Sequence, residues 1–349
     1  MNKVLMKGNE ACAEAAIRAG CKSYFGYPIT PQNEITAYMS KALPKIDGGV
    51  FVQAESEIGA IHMVYGCAGS GVRCMTSSSS PGISLKSEGI SYLAGADLPC
   101  VIVNVQRGGP GLGTIQPSQA DYFQATKAIG HGDLKIPTLA PNSVQEMVDM
   151  TVKAFEIAEK YRTPVIILAD GLLGQMMEPV SFGEIENNAA QYPYGAYGHG
   201  NKRERNIINS LYLDPLKLEE KINERFERYA KIAETEAAAE YDKDATIVVA
   251  AYGSTARVAR SAVDKARAEG INAGLFRPQT LWPFPVKQLK EATGNAKAVL
   301  VSEMSMGQMV DDVKMALEFK LPVEFYGRQG GFVPNPDEIL KKIKEISNN

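Results

Sequence analysis

The stretch CVIVNVQRGGPGLGT, residues 100–114, joins an apolar run to a cation and a glycine-rich loop. Residues 100–105 are predicted to form a strand that is buried on both faces, as in the parallel sheets of α/β proteins. Ligands of such sheets lie beyond the carboxyl ends of the strands, so Arg107 and the loop behind it are a candidate site for an anionic ligand. The glycines allow the backbone to approach that ligand closely. The chain contains neither a GxGxxG pattern opening a helix nor a GxxxxGK[ST] phosphate loop.

On both sides of this stretch, short apolar runs alternate with segments of helical period, which is the pattern of βα units. The predicted strands of the first part of the chain span residues 23–26, 50–53, 73–76, 100–105, 137–139 and 164–169. The predicted helices span residues 10–19, 31–42, 56–68, 84–94 and 144–161. The predicted fold class is therefore α/β, with a parallel sheet covered by helices on both faces.

The pattern breaks in the middle of the chain. A stretch rich in Tyr, Gly and Asn at residues 187–201 is followed by a charged helix predicted at residues 215–241, and we interpret both as a connector. A second α/β pattern follows, with strands predicted at residues 245–251, 272–276, 298–301 and 323–326. The predicted division is a first domain at residues 1–182, the connector at residues 183–243 and a smaller domain at residues 244–349.

Charge and composition exclude several classes of function. The net charge is −3, and acidic and basic residues are mixed along the chain, which argues against a nucleic acid partner. No apolar run approaches the roughly 20 residues that span a bilayer, and the start of the chain does not resemble a signal peptide, so we expect a cytoplasmic protein without a membrane partner. The five cysteines form no CxxC pair and are interpreted as reduced core residues.

The predicted strand at residues 23–26 is followed by YPITP, residues 27–31. Each proline fixes its own φ and restricts the residue before it, so this turn would hold the hydroxyl of Thr30 in place. The alternative is an ordinary strand-to-helix turn, in which Thr30 caps the helix and Pro31 is its first residue.

Two carboxylates, Glu55 and Glu57, enter the first turn of an otherwise apolar predicted helix. Both could complement the helix dipole, and for Glu55 that interpretation is preferred. Glu57 lies beside apolar residues and is predicted to be buried, where a carboxylate needs a partner or a proton. His62, farther along the same helix, is interpreted as an interior histidine whose hydrogen bonds are made within the protein, rather than as a ligand-binding residue.

A serine-rich turn, TSSSSPG at residues 76–82, precedes the helix predicted at residues 84–94. The backbone amides of this run could bind an anion at the start of the helix. The run could equally form a tight capped turn, and the sequence favours neither interpretation.

Together, the motifs at residues 27–31, 53–57, 76–82 and 106–110 resemble the alpha subunit of the 2-oxoacid:ferredoxin oxidoreductases. Each motif is weak alone, but all four occur in the order found in that family. The resemblance covers the whole chain and implies a domain that binds the aminopyrimidine of thiamine diphosphate, a connector and a transketolase C-terminal-like α/β domain. Residues 111–119, GLGTIQPSQ, are most similar to the branched-chain type, which acts on 3-methyl-2-oxobutanoate (2-oxoisovalerate). The 2-oxoglutarate type is the alternative.

The resemblance also implies an activity and roles for individual residues. The family converts a 2-oxoacid, coenzyme A and oxidised ferredoxin to acyl-coenzyme A, carbon dioxide and reduced ferredoxin. Glu57 matches the glutamate that bonds the aminopyrimidine ring nitrogen and promotes the tautomer that deprotonates the thiazolium carbon. Arg107 resembles the arginine that binds the substrate carboxylate, and Thr30 the hydroxyl that helps to orient it. Other assigned residues are Pro28, Ile29 and Ser79 for the cofactor, and Leu112 and Ile115 for the substrate.

The chain is expected to work only with partner chains. It contains no GDG segment followed by Asn at the spacing of thiamine diphosphate enzymes, so the diphosphate and its magnesium ion are assigned to a beta subunit, and no metal is assigned to this chain. The absence of clustered cysteines assigns the [4Fe–4S] clusters to partner chains as well. The expected partners are this beta subunit, a gamma subunit and a ferredoxin-like iron–sulfur subunit, with coenzyme A and the 2-oxoacid as ligands.

Two other functions remain open. The pyrimidine-binding beta subunit of a lipoamide-linked 2-oxoacid dehydrogenase would share the architecture and cofactor, but the motifs at residues 27–31 and 106–110 favour the ferredoxin-linked family. A non-catalytic scaffold subunit would keep the fold and lose the site. The joint presence of Thr30, Glu57 and Arg107 argues against a scaffold.

Overall fold

The computed structural model describes residues 3–183 and 192–348, and part of the predicted connector, residues 184–191, lies outside the described residues. Its strands are β1 Val4–Lys7, β2 Ser23–Gly26, β3 Val50–Gln53, β4 Cys74–Ser78, β5 Cys100–Gln106, β6 Thr138–Leu139, β7 Pro164–Asp170, β8 Met177–Val180, β9 Ala239–Tyr241, β10 Ile247–Ala250, β11 Ala273–Pro278, β12 Thr280–Trp282, β13 Ala298–Glu303 and β14 Val323–Gly327. Its helices are α1 Gly8–Arg18, α2 Asn33–Ala42, α3 Glu57–Gly69, α4 Pro81–Gly95, α5 Tyr122–Thr126, α6 Val144–Tyr161, α7 Gly171–Gln175, α8 Pro215–Thr235, α9 Gly253–Ala268, α10 Val286–Ala292, α11 Met309–Ala316 and α12 Pro336–Ser347. In the described ranges, no helix combines the length and the apolarity needed to cross a bilayer.

The larger sheet has the strand order β12-β6-β7-β5-β4-β2-β3. Its strands pair in parallel except for β12, which pairs antiparallel with β6. Successive side chains of β5 point to opposite faces: Ile102 belongs to one apolar cluster with Ile61 of α3 and Ile90 of α4, whereas Val101 belongs to another with Met147 of α6. Helices therefore cover both faces of a parallel sheet, and the predicted fold class is confirmed.

The smaller of the two main sheets has the order β14-β13-β10-β11-β9, with β9 antiparallel to β11 and the other pairs parallel, and β1 and β8 form a separate antiparallel pair. Helices α9 and α12 pack on one face, where Ala259 and Ile343 share an apolar cluster. Side chains of the other face, such as Val248 and Val299, join the same cluster as α3 and α4. The second sheet therefore packs directly on the core that supports the first.

Buried polar contacts also join the two sheets. The side chain of Gln119 donates to Tyr252 O at 2.8 Å and accepts from Thr255 Oγ1 at 2.7 Å. Tyr122 donates its hydroxyl to Asp312 Oδ2 at 2.5 Å. Because these groups are buried and satisfied by one another, they fix the second α/β unit against the first.

Two of the differences from the predicted elements show the effect of distant pairing. The charged helix α8 ends at Thr235 rather than at residue 241, because the backbone of Ala239–Tyr241 pairs with β11 instead of continuing the helix. The strand Thr280–Trp282 was not expected, and it lies at the edge of the larger sheet although the chain around it belongs to the smaller one. Both differences come from pairing with distant strands.

The five cysteines are free thiols in the structure. Four of them are buried, as predicted, and Cys67 is half-buried against the core. Burial raises the pKa of the Cys12 thiol to about 11 and that of Cys21 to about 12. These two thiols are therefore kept protonated, which disfavours metal ligation and thiol chemistry at their positions.

Candidate active site

The motifs singled out in the sequence lie at one edge of the larger sheet. They follow β2, β3, β4 and β5, which are neighbours in the order β5-β4-β2-β3, and the carboxyl ends of parallel strands meet at the same edge. Arg107 Nη1 donates to Thr30 O at 3.0 Å, and Arg107 N donates to Ser80 Oγ at 3.1 Å. The structure therefore brings Thr30, Arg107 and the serine-rich turn into direct contact.

The guanidinium of Arg107 is buried, with 7% of the residue exposed. Its Nη1 is engaged with the Thr30 carbonyl, but its Nε has no hydrogen-bond partner within the described residues. Leaving a buried donor unpaired costs free energy. A carboxylate oxygen placed beside Nε would satisfy it with a charge-assisted hydrogen bond. Thr30, which Arg107 contacts, is itself exposed to solvent.

The turn that carries Thr30 is fixed by Gln32, which is not among the predicted site residues. Gln32 is fully buried, and its side chain donates to Tyr27 O at 3.3 Å and accepts from Ser77 Oγ on β4. Helix α2 begins at Asn33 with Gln32 at the N-cap, so the alternative in which Thr30 caps the helix is wrong. The turn is thus held by a buried amide as well as by its prolines.

Glu57 is the first residue of α3, and only 6% of it is exposed, which confirms its expected burial. Ser56 caps the helix by accepting from Gly59 N at 3.1 Å. No hydrogen-bond donor among the described residues contacts the Glu57 carboxylate. Glu55, in contrast, is exposed. A buried carboxylate without a donor is expected to take a ligand or a proton.

Helix α4 approaches Glu57 at Gly82. A Cβ atom at this position would lie 2.1 Å from Ser78 Oγ and 2.8 Å from Glu57 Oε1, so any larger residue would displace the Ser78 and Glu57 side chains. The hydroxyls of Ser78 and Ser79 are buried and have no partner in the described part of the chain. Unpaired buried polar atoms around a carboxylate are expected where a polar ligand completes the site.

Ser80, at the start of α4, has φ +26°, which is strained for a residue with a side chain. Its N–H donates to Asn104 Oδ1 at 3.1 Å, and its hydroxyl donates to Asp121 Oδ2 at 2.6 Å. Burial raises the pKa of Asp121. These contacts hold Ser80, and through it the backbone of Arg107. Asn104 and Asp121 are not predicted site residues, although a polar Asn inside the apolar run at residues 100–105 was a usable signal.

Lys86 is a further buried charge near the site that the sequence did not indicate. It lies on α4 and is 0% exposed. Its Nζ donates to Thr76 Oγ1 at 3.0 Å, and among the described residues it forms no direct ion pair. Burial lowers the pKa of Lys86 to about 8, and the charge of Glu57 opposes this shift.

A cavity of about 600 Å³ opens beside Thr30. Its walls come from the turn after β2, from residues 115–117, from α7, and from Gly331 and Val333 of the C-terminal part of the chain. Of the residues predicted to bind substrate, Thr30 and Ile115 line this cavity, whereas Leu112 is 83% exposed and does not. Arg107 is not among the residues that line the cavity, but it contacts Thr30, which does.

Metal-binding side chains do not cluster here. Within residues 3–183 and 192–348, no group of three or more His, Cys, Asp or Glu side chains is placed to hold an ion. The prediction that His62 is an interior residue is wrong, because it is exposed on α3 with its Nδ1 2.8 Å from Ile58 O. The edge of the sheet therefore offers hydroxyls, the Glu57 carboxylate and the Arg107 guanidinium to an organic ligand.

Two family models match successive parts of the chain. Residues 14–244 match the thiamine diphosphate-binding domain of pyruvate flavodoxin/ferredoxin oxidoreductase. Residues 245–339 match core domain II of pyruvate:ferredoxin oxidoreductase. These matches cover both sheets.

Individual relatives agree with the family models. The chain is 51% identical to the ketoisovalerate oxidoreductase subunit VorB of Methanothermobacter marburgensis, over 98% of this chain and 97% of the relative. It is 39% identical to the 2-oxoglutarate synthase subunit KorA of the same organism, over 97% of each chain. Both relatives are named as subunits, which indicates a complex of several chains.

A solved structure is also similar over the whole chain. It is the 2-oxoglutarate:ferredoxin oxidoreductase of Magnetococcus marinus with 2-oxoglutarate, coenzyme A and succinyl-CoA bound, at 29% identity and a TM-score of 0.87. The match covers 99% of this chain and 65% of the length of that one. The chain therefore belongs to the 2-oxoacid:ferredoxin oxidoreductase family, as a subunit that carries its thiamine diphosphate-binding domain.

Proposed function

We propose that this chain supplies the aminopyrimidine side of a thiamine diphosphate site in a branched-chain 2-oxoacid:ferredoxin oxidoreductase. The complex would convert a 2-oxoacid and coenzyme A to acyl-coenzyme A and carbon dioxide, and pass the electrons to ferredoxin. The observation that carries this proposal is the buried Glu57 carboxylate, which has no donor within the described residues and faces Gly82 of α4. The 51% identity to a ketoisovalerate oxidoreductase subunit supports the branched-chain substrate over 2-oxoglutarate.

The groups around Glu57 fit an aminopyrimidine ring. Glu57 would exchange a proton with a ring nitrogen at a position where water does not compete. Pro28 and Ile29 lie on the turn after β2 at the same edge of the sheet, where they would pack on the ring, and the unpaired hydroxyl of Ser79 would bond a polar atom of the cofactor. When bound, thiamine diphosphate supplies the carbanion chemistry that releases carbon dioxide from a 2-oxoacid.

Arg107 and Thr30 would bind the carboxylate of the substrate. The Nε of Arg107, which has no partner in the part of the chain that the structure describes, supports this role, since a planar guanidinium offers parallel donors to a carboxylate. Thr30 lines the cavity, and its hydroxyl would orient the same group. Leu112 and Ile115 would contact the alkyl tail, Ile115 from within the cavity and Leu112 from the exposed loop.

The remaining parts of the reaction would belong to other chains. We propose a beta subunit that holds the diphosphate and magnesium, a gamma subunit, and a ferredoxin-like subunit with [4Fe–4S] clusters, all in the cytoplasm. We also propose the division of this chain into domains at residues 1–182 and 244–349 with a connector at residues 183–243, which the boundary between the two family models supports.

The substrate proposal is tested with the native complex, isolated without oxygen. Viologen reduction is measured with 3-methyl-2-oxobutanoate and with 2-oxoglutarate, each with coenzyme A. We expect a higher kcat/KM for the branched substrate, because Leu112 and Ile115 are apolar. Residues 108–115, which follow Arg107, also contain no Lys or Arg that could bind the distal carboxylate of 2-oxoglutarate. A complex that turned over 2-oxoglutarate tenfold more efficiently would overturn the substrate assignment and leave the family assignment standing.

The shared cofactor site is tested with the purified single chain. We expect weak or no binding of thiamine diphosphate in calorimetry, because most of the cofactor's charge lies on a diphosphate that we assign to the beta subunit. The complete complex is the control and should bind the cofactor with magnesium. Micromolar, magnesium-dependent binding by the single chain would show that it contains a phosphate site of its own.

A further inference from the structure

Lys86 is a charged side chain in a place where lysine is rarely found. It is 0% exposed, and fully buried lysines are uncommon unless they are paired. Among the described residues, its ammonium has one side-chain hydrogen-bond partner, the neutral hydroxyl of Thr76, at 3.0 Å. Burial of a cation with so little compensation is costly, and it lowers the pKa of Lys86 to about 8. A stability argument alone does not explain a lysine here.

The packing of α4 on α3 places Lys86 on the helix face that approaches Glu57. The two helices touch where α4 has glycines: a Cβ at Gly82 would lie 2.8 Å from Glu57 Oε1, and a Cβ at Gly89 would lie 2.5 Å from Ile61 Cγ2. Lys86 is four residues after Gly82 and three before Gly89, so it lies on the same face of α4. Helical side chains lean toward the N-terminus, which directs the Lys86 ammonium toward Gly82 and Glu57.

We infer that Lys86 is a positioning residue whose buried ammonium stabilises the Glu57 carboxylate after Glu57 has passed its proton to the aminopyrimidine ring nitrogen. The inference rests on the proposed function. The proton moves from the Glu57 carboxyl group to the ring, Glu57 becomes an anion, and Lys86 keeps its own protons throughout. The charge of Glu57 already acts on Lys86 in the structure, and an opposite charge in a buried site favours this charge separation. Lys86 contacts neither substrate nor cofactor in this scheme.

Lys86→Met is tested in the complete complex, because methionine is unbranched like lysine, is one atom shorter and removes the charge. The first measurement is the rate of hydrogen–deuterium exchange at the thiazolium C2 of bound thiamine diphosphate, without substrate, which we expect to fall about tenfold. The second is the thermal midpoint of the complex stripped of cofactor, which should stay the same or rise because an unpaired buried charge is lost. Lys86→Gln, which can keep the bond to Thr76, is expected to slow exchange to the same extent.

Lys41→Met is the matched control, since Lys41 is an exposed lysine on α2, and it should change neither measurement. If Lys86 acts through Glu57, Lys86→Met should not slow hydrogen–deuterium exchange further in a protein that already carries Glu57→Gln. The inference would be overturned if both Lys86 variants exchanged hydrogen at the thiazolium C2 at the wild-type rate. It would also be overturned if the thermal midpoint fell in parallel with the exchange rate. If Glu57→Gln itself left exchange unchanged, the proposed role of Glu57 would fail instead.

Discussion

The Glu57→Gln variant is expected to reduce kcat for 2-oxoacid-dependent viologen reduction by about 10²–10⁴-fold, the usual cost of losing general acid–base assistance. Glutamine has nearly the same shape but cannot release or take up a proton. Within the described residues the carboxylate accepts no hydrogen bond, so the substitution leaves no protein donor unpaired. The free energy of unfolding should therefore stay close to that of the wild type, which thermal or denaturant unfolding of the complex will measure.

Glu55→Gln is the matched control for this prediction. Glu55 is two residues away, carries the same charge and is exposed, and its Oε1 accepts only from Ser56 Oγ at 3.2 Å among the described contacts. Exposed substitutions of this kind usually change stability by no more than about 0.5 kcal/mol, and kcat should change little. If Glu55→Gln proved the more damaging of the two, the choice of Glu57 as the acid–base residue would be wrong.

The local sequence was sufficient to predict the elements whose burial follows from the apolar pattern of their own residues. Strand β5 is a continuous apolar run that is buried on both faces, and it was predicted to within one residue. Helix α6 was predicted with its observed bounds, Val144–Tyr161, because Ser143 is a good N-cap and the apolar face has a clear helical period. The site motifs after β2, β3, β4 and β5 could be grouped because a parallel sheet places all of these strand ends at one edge.

Elements and contacts that depend on distant partners could not be predicted in this way. β12 has three residues and exists because it pairs with β6, more than a hundred residues earlier in the chain. The exposure of His62 depends on which face of α3 packs on α4, which its own neighbours do not define. Gln32, Lys86 and Asp121 have side chains whose roles arise from contacts with other segments, so no local pattern marks them.

Removal of the Arg107 side chain is expected to have the other large effect. Arg107 offers a substrate carboxylate a guanidinium whose Nε is buried and has no partner among the described residues. In Arg107→Ala, the lost charge-assisted hydrogen bonds should cost about 1.5–3 kcal/mol of transition-state stabilisation. The carbonyl of Thr30 also loses the donor that holds it at 3.0 Å. The measurement is kcat/KM of the complex with several 2-oxoacids, and we expect a fall with every one.

Arg107→Lys separates the charge of this residue from its shape. Lysine restores the charge but cannot contact Thr30 O through one nitrogen and a carboxylate through another in the same plane, so we expect poor rescue. Arg18→Lys, at an exposed arginine of α1 that pairs with Glu14, is the control and should behave like the wild type. Because every 2-oxoacid has the same carboxylate, the loss in Arg107→Ala should be similar for branched and unbranched tails. A loss confined to one substrate would show that Arg107 recognises the tail rather than the carboxylate.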